Sequence, residues 1–205
     1  PRRRVLRRII CSLIVLFVVL SLTVFPAQGA MPLDIVEWLT NRDFETGDAS
    51  SWHITVNPDS SFSVTALAAQ AGAYGGRLLV GPFGTVTVET DHIRVYPGFP
   101  YSACISFKLV SLGGSSWLTT QLNYYDAHHS FLTSERLGNG YWASPAEIWT
   151  PALANVTAPP YATYAAVLVT LQESRGTGSA EAYIDGSSLT GPEPEFHYLP
   201  LMLRP

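Results

Sequence analysis

The sequence predicts an all-β fold, a sandwich or jelly roll, over residues 39–190 of a chain of 205 residues. Short runs rich in Val, Thr, Tyr, Phe and Ile recur along this stretch, and clusters of Gly, Pro, Asn, Asp and Ser separate them. No window sustains the apolar spacing of a helix. Many short strands with turn signals between them are typical of two packed antiparallel sheets.

The predicted strands follow from these runs, each bounded by turn residues on both sides. They lie at residues 52–56, 61–66, 77–80, 85–89, 101–110, 117–125, 152–157, 163–171 and 180–184. A first strand and turn are also predicted at residues 41–47, beside the last strand near Asp185.

Residues 1–30 predict a signal peptide. Five arginines lie among the first eight residues, residues 9–25 are almost continuously apolar, and small residues follow at 27–30. The apolar run is also about as long as a membrane span, roughly 20 residues. Cleavage is favoured because Pro26 follows the run directly, and retention as an uncleaved anchor, the one predicted contact with a membrane, is the alternative. Residues 31–38 would form a short N-terminal extension.

The charge balance excludes one class of partner. The five arginines leave with the signal, so the mature part has 7 basic residues against 16 acidic ones, a net charge of about −9. A nucleic-acid surface needs a basic stripe, so no nucleic acid is expected as a partner. The balance fits a secreted or cell-surface protein, and acidic side chains are natural ligands of calcium.

Alternation along two strands assigns their faces. In residues 101–110 the core face is predicted to hold Tyr101, Ala103, Ile105, Phe107 and Leu109. In residues 117–125 the outward, solvent-facing set is predicted to hold Trp117, Thr119, Gln121, Asn123 and Tyr125.

The outward set of residues 117–125 suits a sugar. A ring of Trp117 or Tyr125 can stack on a pyranose while the amides of Gln121 and Asn123 bond its hydroxyls. Tyr141 and Trp142, in a predicted loop at residues 138–144, either extend this surface or fold over the sheet edge. An ordinary solvated sheet face is the alternative, because single exposed aromatics are normal.

Several segments together carry a resemblance to a known family. In chain order they read Asn-Arg-Asp-Phe-Glu-Thr-Gly with Trp52 (residues 41–47), Ala-Gly-Ala-Tyr (71–74), Val-Tyr-Pro-Gly (95–98), Tyr-Tyr-Asp (124–126) and Ala-Tyr-Ile-Asp-Gly-Ser-Ser-Leu (182–189). This series resembles the jelly-roll carbohydrate-binding modules of families 4, 9, 16 and 22, which are galactose-binding-like sandwiches. The resemblance implies a polysaccharide or glycan as partner.

The resemblance also implies a structural calcium ion. In that family the first-strand Glu and last-strand Asp hold the ion with backbone carbonyls from the turn between, and here these are Glu45, Asp185 and carbonyls near Gln70 and Ala71. Two carboxylates brought together would repel unless a hard cation lay between them. The chain departs from the family at Arg42, where Gly is frequent, and at Gly186, where a second Asp is usual. The alternative is that Glu45 and Asp185 only cap turns.

An enzyme is not expected. A glycosidase needs two carboxylates facing one cleft, and nothing around Glu135 and Glu147 suggests such a pair. No serine elbow, zinc helix or phosphate loop occurs. Two functions remain: a non-catalytic carbohydrate-binding domain, and a structural or adhesion domain of the cell surface with the same fold and no sugar ligand.

Residues 191–205 form a separate piece. A Pro-rich, charged linker is followed by an apolar tail that is too short to span a bilayer. The tail resembles short Tyr-Leu-Pro-Leu-x-Leu-Arg ends on exported proteins of some bacteria, which implies docking to the cell surface. A disordered or packed terminus is the alternative.

Overall fold

The computed structural model describes residues 35–144 and 146–192 and, for Ala146 and Glu147, only the backbone. The described chain is all-β, as predicted, apart from one short 3-10 turn at Ala66–Ala68. Its strands are β1 Ile35–Glu37, β2 Trp52–Val56, β3 Ser60–Thr65, β4 Gly75–Val80, β5 Thr85–Thr90, β6 Ile93–Arg94, β7 Pro100–Leu112, β8 Ser116–Tyr125, β9 Phe131–Trp142, β10 Ala146–Thr157, β11 Tyr164–Glu173 and β12 Ala180–Pro192.

The strands form two antiparallel sheets that make a sandwich, consistent with a jelly roll. The first sheet has the order β10-β7-β12-β4-β3, with β1 on β12. The second has the order β2-β5-β11-β8-β9, with β6 on β11. Most neighbours in either sheet are distant in sequence, so the order of the strands depends on long-range pairing.

The core lies between the two sheets and follows the predicted alternation. All five residues predicted for the core face of β7 are buried: Tyr101, Ala103, Ile105, Phe107 and Leu109. The second sheet contributes apolar side chains from the inner faces of β8 and β11, among them Leu118, Leu122, Val167, Val169 and Leu171. Period-two patterning is reliable here because each sheet has one face on the core.

Residues 41–47 correct one prediction, because they form turns and not a strand. Asn41 and Phe44 have φ values of 44° and 59°, in the left-handed region that a strand cannot contain. The Phe44 ring is fully buried and stacks on Trp52 with centroids 4.7 Å apart. The Ser187 amide donates to the carbonyl of Arg42 at 3.0 Å, so the segment does lie beside the last strand.

The longest unpredicted strand is β9. The sequence predicts a loop at residues 138–144, but β9 runs to Trp142 and is interrupted by a bulge. Thr119 pairs with Tyr141 whereas Gln121 pairs with Arg136, so four residues of β9 stand opposite Thr120. Gly138 and Gly140 have φ values of 57° and 65° and allow the chain to make this detour.

Other boundaries differ slightly. β1 lies inside the predicted N-terminal extension, and Gly191 and Pro192, predicted to begin the linker, end β12. The predicted signal peptide and residues 193–205 of the predicted tail lie outside the described residues. Among the residues described, no helix is long and apolar enough to cross a membrane.

Candidate functional site

The outer face of the second sheet carries a row of polar side chains. The pairing registers place Thr55, Thr87, Thr170, Thr119 and Tyr141 in one row across its strands. The hydroxyls of Thr87 and Thr170 are 3.2 Å apart, which is hydrogen-bond distance. Cross-strand pairs of this kind hold the row in register.

One end of this face carries an aromatic pair. The rings of Trp117 and Tyr141 have centroids 6.1 Å apart and are inclined by 33°. Tyr141 is 53% exposed, and the bulge in β9 sets it directly opposite Thr119. We call the side chains of Trp117, Thr119, Gln121, Arg136 and Tyr141 the β8–β9 platform.

Further along β8 the predicted solvent-facing residues are covered. Asn123 and Tyr125 are only 5% and 8% exposed. Gln121 donates to the Asn123 carbonyl at 2.9 Å, Asn123 donates to the Tyr125 hydroxyl at 3.0 Å, and that hydroxyl donates to the Glu89 carboxylate. Burial, together with the bond to Glu89, raises the pKa of Tyr125 to about 12.

Two histidines cover this network. His92, between β5 and β6, stacks on Tyr125 with centroids 3.9 Å apart. His129, between β8 and β9, stacks on Tyr164 with centroids 4.2 Å apart. Their Nδ1 atoms are 2.8 Å apart. We call this pair the histidine cap, and it explains why Tyr125 is buried on the outer face.

Trp142 lies on the other side of the sheet. It pairs with Leu118, whose side chain points inward, and its ring packs against Phe107 with centroids 4.8 Å apart. Its indole N–H donates to the Thr120 hydroxyl at 3.4 Å. Of the two residues expected to extend the surface, the structure brings Tyr141 to the outer face and Trp142 to the core.

A second region of interest is a pocket of about 330 Å³ at the end of the first sheet. We call it the edge pocket, and its lining includes all four residues predicted to bind calcium: Glu45, Gln70, Ala71 and Asp185. Asp43 adds a third carboxylate to the lining, and Arg42 is the basic residue of the set.

Backbone amides hold the two main carboxylates of the edge pocket. Asp185, 1% exposed, accepts from the amides of Gln70 at 2.7 Å, Ala71 at 3.2 Å and Gly186 at 2.7 Å. Burial raises the pKa of Asp185, and the three hydrogen bonds partly oppose this rise. The backbone at Gln70 and Ala71 thus contacts this carboxylate through its N–H groups, and its carbonyls stay predicted ligands of the ion.

Glu45 is held in a similar way. Its carboxylate accepts from the amide of Ala73 at 2.8 Å and from that of Tyr74 at 3.0 Å. A methyl group on Gly72 would lie 2.3 Å from its Oε1, so the turn comes close to the carboxylate only because residue 72 lacks a side chain. The turn at residues 70–74 thus clamps both acids.

The donor set of the edge pocket fits a calcium ion. The hydroxyl of Ser187 lines the pocket and is buried without a hydrogen-bond partner among the described residues. A carboxylate offers about four lone-pair sites, and the three amides leave Asp185 one to spare. Among the residues the structure describes, no three His, Cys, Asp or Glu side chains converge on one point, so backbone and hydroxyl oxygens would complete such a site.

Sequence reasoning missed several residues of both regions. Glu89, His92 and Arg136 lie on strands or loops that the sequence does not connect to β8, and no local motif marks them. His129 had a weak signal, since it lies in a cluster with Asp126 and His128. Ser187 belongs to the closing motif, but its orphaned hydroxyl is visible only in three dimensions.

No protein-family model and no curated protein matches the sequence. Solved structures are similar in fold at low identity. TmCBM61, solved with β-1,4-galactotriose, has a TM-score of 0.54 at 12% identity, over 75% of this chain and 97% of that one. The C-terminal family 22 carbohydrate-binding module of Clostridium thermocellum Xyn10B has a TM-score of 0.51 at 14% identity, over 77% and 92%.

A larger protein contains the same fold as one part. The enzymatically active domain of tailspike protein 4 of bacteriophage CBA120 has a TM-score of 0.59 at 13% identity, over 76% of this chain but only 21% of that one. At these identities the likeness concerns the fold. The chain shares the β-sandwich fold of these carbohydrate-binding modules, as its sequence motifs predict.

Proposed function

We propose that this protein is an exported, non-catalytic carbohydrate-binding domain that holds a polysaccharide or glycan on the β8–β9 platform. The observation that carries the proposal is the inclined pair of Trp117 and Tyr141 on the outer face of the sheet, where Tyr141 is 53% exposed. Aromatic rings stack on the apolar face of a pyranose, and Trp and Tyr do so with a polar group at their edge.

The neighbours of the aromatic pair suit sugar hydroxyls. Thr119 and Gln121 supply hydroxyl and amide groups on the same face of β8, and the threonine row continues across the sheet. The platform itself contains no carboxylate, so it offers neither an acid nor a nucleophile for glycoside cleavage. Binding without catalysis is the chemistry that these side chains support.

A structural calcium ion in the edge pocket belongs to the same proposal. Glu45, Asp185 and the hydroxyl of Ser187 would hold the ion with nearby carbonyl oxygens. Its charge would balance the acidic lining and tie residues 41–47 to the turn at 70–74. The ion would lie apart from the platform and would act on stability, and not on sugar contact.

Affinity electrophoresis on a panel of polysaccharides tests the sugar proposal. We expect retardation on at least one polysaccharide and its loss in both Trp117→Ala and Tyr141→Ala. Tyr161→Ala is the matched control, because Tyr161 is 84% exposed and lies off the platform. If no polysaccharide or arrayed glycan binds, the domain is structural or adhesive instead. If binding survives both platform variants, the site lies elsewhere.

A further inference from the structure

The β8–β9 platform contains a guanidinium group as well as aromatic rings. Arg136 pairs with Gln121, and Tyr141 pairs with Thr119, two residues away on the same face of β8. The bulge between them removes residues 137–140 from the ladder, so Arg136 and Tyr141 become neighbours on the outer face. A cation therefore lies beside the stacking surface.

The position of Arg136 is set by the bulge. A methyl group on Gly140 would lie 2.7 Å from the Cβ and Cγ atoms of Arg136 and 2.8 Å from its Cδ, so the arginine stem extends across this glycine. Gly140 also has a φ value of 65°, which other residues adopt only with strain. Packing of the stem restricts the side chain before any ligand arrives.

No carboxylate that the structure describes pairs with Arg136. The ion pairs found among the described residues involve Arg42, His53 and Arg77. Glu135 precedes Arg136 in the strand, so its side chain points to the opposite face. Glu89 lies three strands away in the same row, about 14 Å at the usual strand spacing. That is the spacing of the backbones, and the Glu89 carboxylate already accepts from the hydroxyl of Tyr125.

We propose that the platform selects saccharides that carry a carboxylate, so that its ligand is a polysaccharide containing uronic acid. Arg136 binds the carboxylate while Trp117 and Tyr141 stack on the sugar rings. This inference rests on the proposed carbohydrate-binding function and adds the chemical class of the ligand. The acidic net charge of the protein weakens long-range attraction to a polyanion, so selectivity arises from contact.

Arginine suits this role better than lysine. Its planar guanidinium offers parallel N–H donors that match the two oxygens of a carboxylate, and bonds of this charge-assisted kind are about twice as strong as neutral ones. A lysine would supply charge without the paired geometry. The inference therefore predicts a difference between Arg136→Lys and the native protein.

The test uses pairs of ligands that share one backbone and differ in the presence of a free carboxylate. Polygalacturonate and its highly methyl-esterified form share one backbone, and glucuronoxylan is compared with a xylan from which uronic acid has been removed. We expect the native protein to bind the acidic member of at least one pair about tenfold more tightly, in line with a charge-assisted bond. Arg136→Gln should remove that preference, because it weakens binding of the acidic member more than binding of the neutral one, and Arg136→Lys should restore part of it.

The outcomes separate this inference from the proposed function. Binding of neutral polysaccharides with no preference for any acidic partner overturns the acidic ligand and leaves the carbohydrate-binding proposal intact. Absence of binding to every member of these pairs overturns the acidic ligand, and absence of binding to the wider panel of polysaccharides and glycans overturns the proposed function as well. A sulfated polysaccharide that binds more tightly than every uronate would also overturn the inference, because its charged group is a sulfate and not a carboxylate. Circular dichroism of Arg136→Gln checks that the variant is folded.

Discussion

The Nδ1 atoms of His92 and His129 lie 2.8 Å apart across two loops. The ring centroids are 5.0 Å apart and the rings are inclined by 29°, so the rings meet nitrogen to nitrogen at their edges. One Nδ1 must donate an N–H and the other must accept it. The bond is possible while at least one ring is neutral, and it fails when both rings are protonated.

The groups around His92 set the direction of its titration. Burial lowers its pKa below the ordinary 6.5, the charges of His129 and His53 lower it further, and Glu89 and Asp91 act in the opposite direction. A histidine whose pKa is lowered by folding binds its proton more weakly in the folded state. Stability is therefore greatest above pH 6.5 and falls as the pH drops below that value.

Acid should accordingly open the histidine cap. On the His129 side the facing groups are Asp126, His128 and the ring of Tyr164. We expect the melting temperature to fall as the pH drops from about 6.5 towards 5, below the ordinary pKa of histidine. His92→Phe keeps the stack on Tyr125 without a titrating group, so its melting temperature should fall less.

Thermal unfolding followed by circular dichroism across this pH range checks the prediction. His128→Gln is the matched control, because His128 lies beside His129 in sequence but takes no part in the Nδ1 bond. It should show the native pH dependence. Equal pH dependence in the native protein and in His92→Phe would contradict the role of the cap.

Glu173 leads to a second prediction of how stability depends on pH, over a more acidic range. This carboxylate is 1% exposed and accepts from the amides of Phe83, Arg175 and Gly176 at 2.8, 3.1 and 2.7 Å. These bonds, that of Phe83 first, lower its pKa from 4.5 to about 2. The stability it contributes is present above pH 4.5 and is lost as the pH falls through about 2.

Glu173→Gln should therefore destabilise the protein most at neutral pH. Glutamine keeps the shape but turns one acceptor into an N–H₂ group that faces backbone donors. The difference in melting temperature between Glu173→Gln and the native protein should shrink as the pH falls from 4.5 to about 2. Glu135→Gln, at an exposed position on β9, is the control and should change little at any pH. A gap that stays constant with pH would contradict the assignment.

The same residues show how far sequence reasoning reaches. The inner face of β7 was predictable, because period-two alternation reflects the pleat and one face of each sheet is buried. The exposure of Tyr125 was not, because its cover comes from His92, which lies 33 positions earlier in the chain and pairs with it by no local rule. Spacing within β8 contains no information about a ring supplied by another loop.

The bulge in β9 marks the other limit. Gly138 and Gly140 suggest a loop, and only the pairing of Arg136 with Gln121 shows that the strand resumes on the other side. Motif order along the chain, by contrast, singled out Glu45 and Asp185, and both line one pocket, although the proposed metal role is a separate prediction. Such motifs mark places where turns need particular residues, and turns are encoded locally.

Gly72 and Gly98 form a matched pair for the edge pocket. Both have left-handed backbones, with φ values of 73° and 80°, but a methyl group would meet nothing within 4 Å at Gly98 and would lie 2.3 Å from the Glu45 carboxylate at Gly72. Gly98→Ala should cost about 1 kcal/mol of unfolding free energy from backbone strain alone. Gly72→Ala should cost about 3 kcal/mol, since it also displaces Glu45 from two amides.

Urea unfolding of the two glycine variants measures the difference. Both variants lose a similar free energy of unfolding to backbone strain. The additional loss in Gly72→Ala therefore measures the hydrogen bonds from Ala73 and Tyr74 to Glu45. Equal costs would mean that the clamp on Glu45 contributes nothing to stability.

The proposed calcium ion predicts a response to chelation. Calcium at about 100 times its dissociation constant should add about 2.7 kcal/mol to the free energy of unfolding, and excess chelator should remove it. Asp185→Ala should abolish the response and should also cost about 1–3 kcal/mol without calcium, because it leaves the amides of Gln70 and Ala71 without an acceptor. Differential scanning calorimetry with and without chelator measures both effects.

The control for the calcium experiment is Asp91→Ala, at a carboxylate outside the edge pocket that pairs with His53. It should keep the full response to calcium. A native melting curve indifferent to chelator would refute the ion, and a response that persists in Asp185→Ala would place it elsewhere.

Alanine variants of Trp117 and Trp142 should differ in their effects on sugar binding and on stability. Trp142 packs on Phe107 and donates to Thr120, so Trp142→Ala should lower the free energy of unfolding by about 3 kcal/mol. Trp117 lies on the outer face against Tyr141, so Trp117→Ala should cost about 1 kcal/mol or less. Retardation on polysaccharide should show the reverse order, lost in Trp117→Ala and kept in folded Trp142→Ala at low temperature. If both variants were equally destabilised, the assignment of these two rings to opposite faces of the sheet would be wrong.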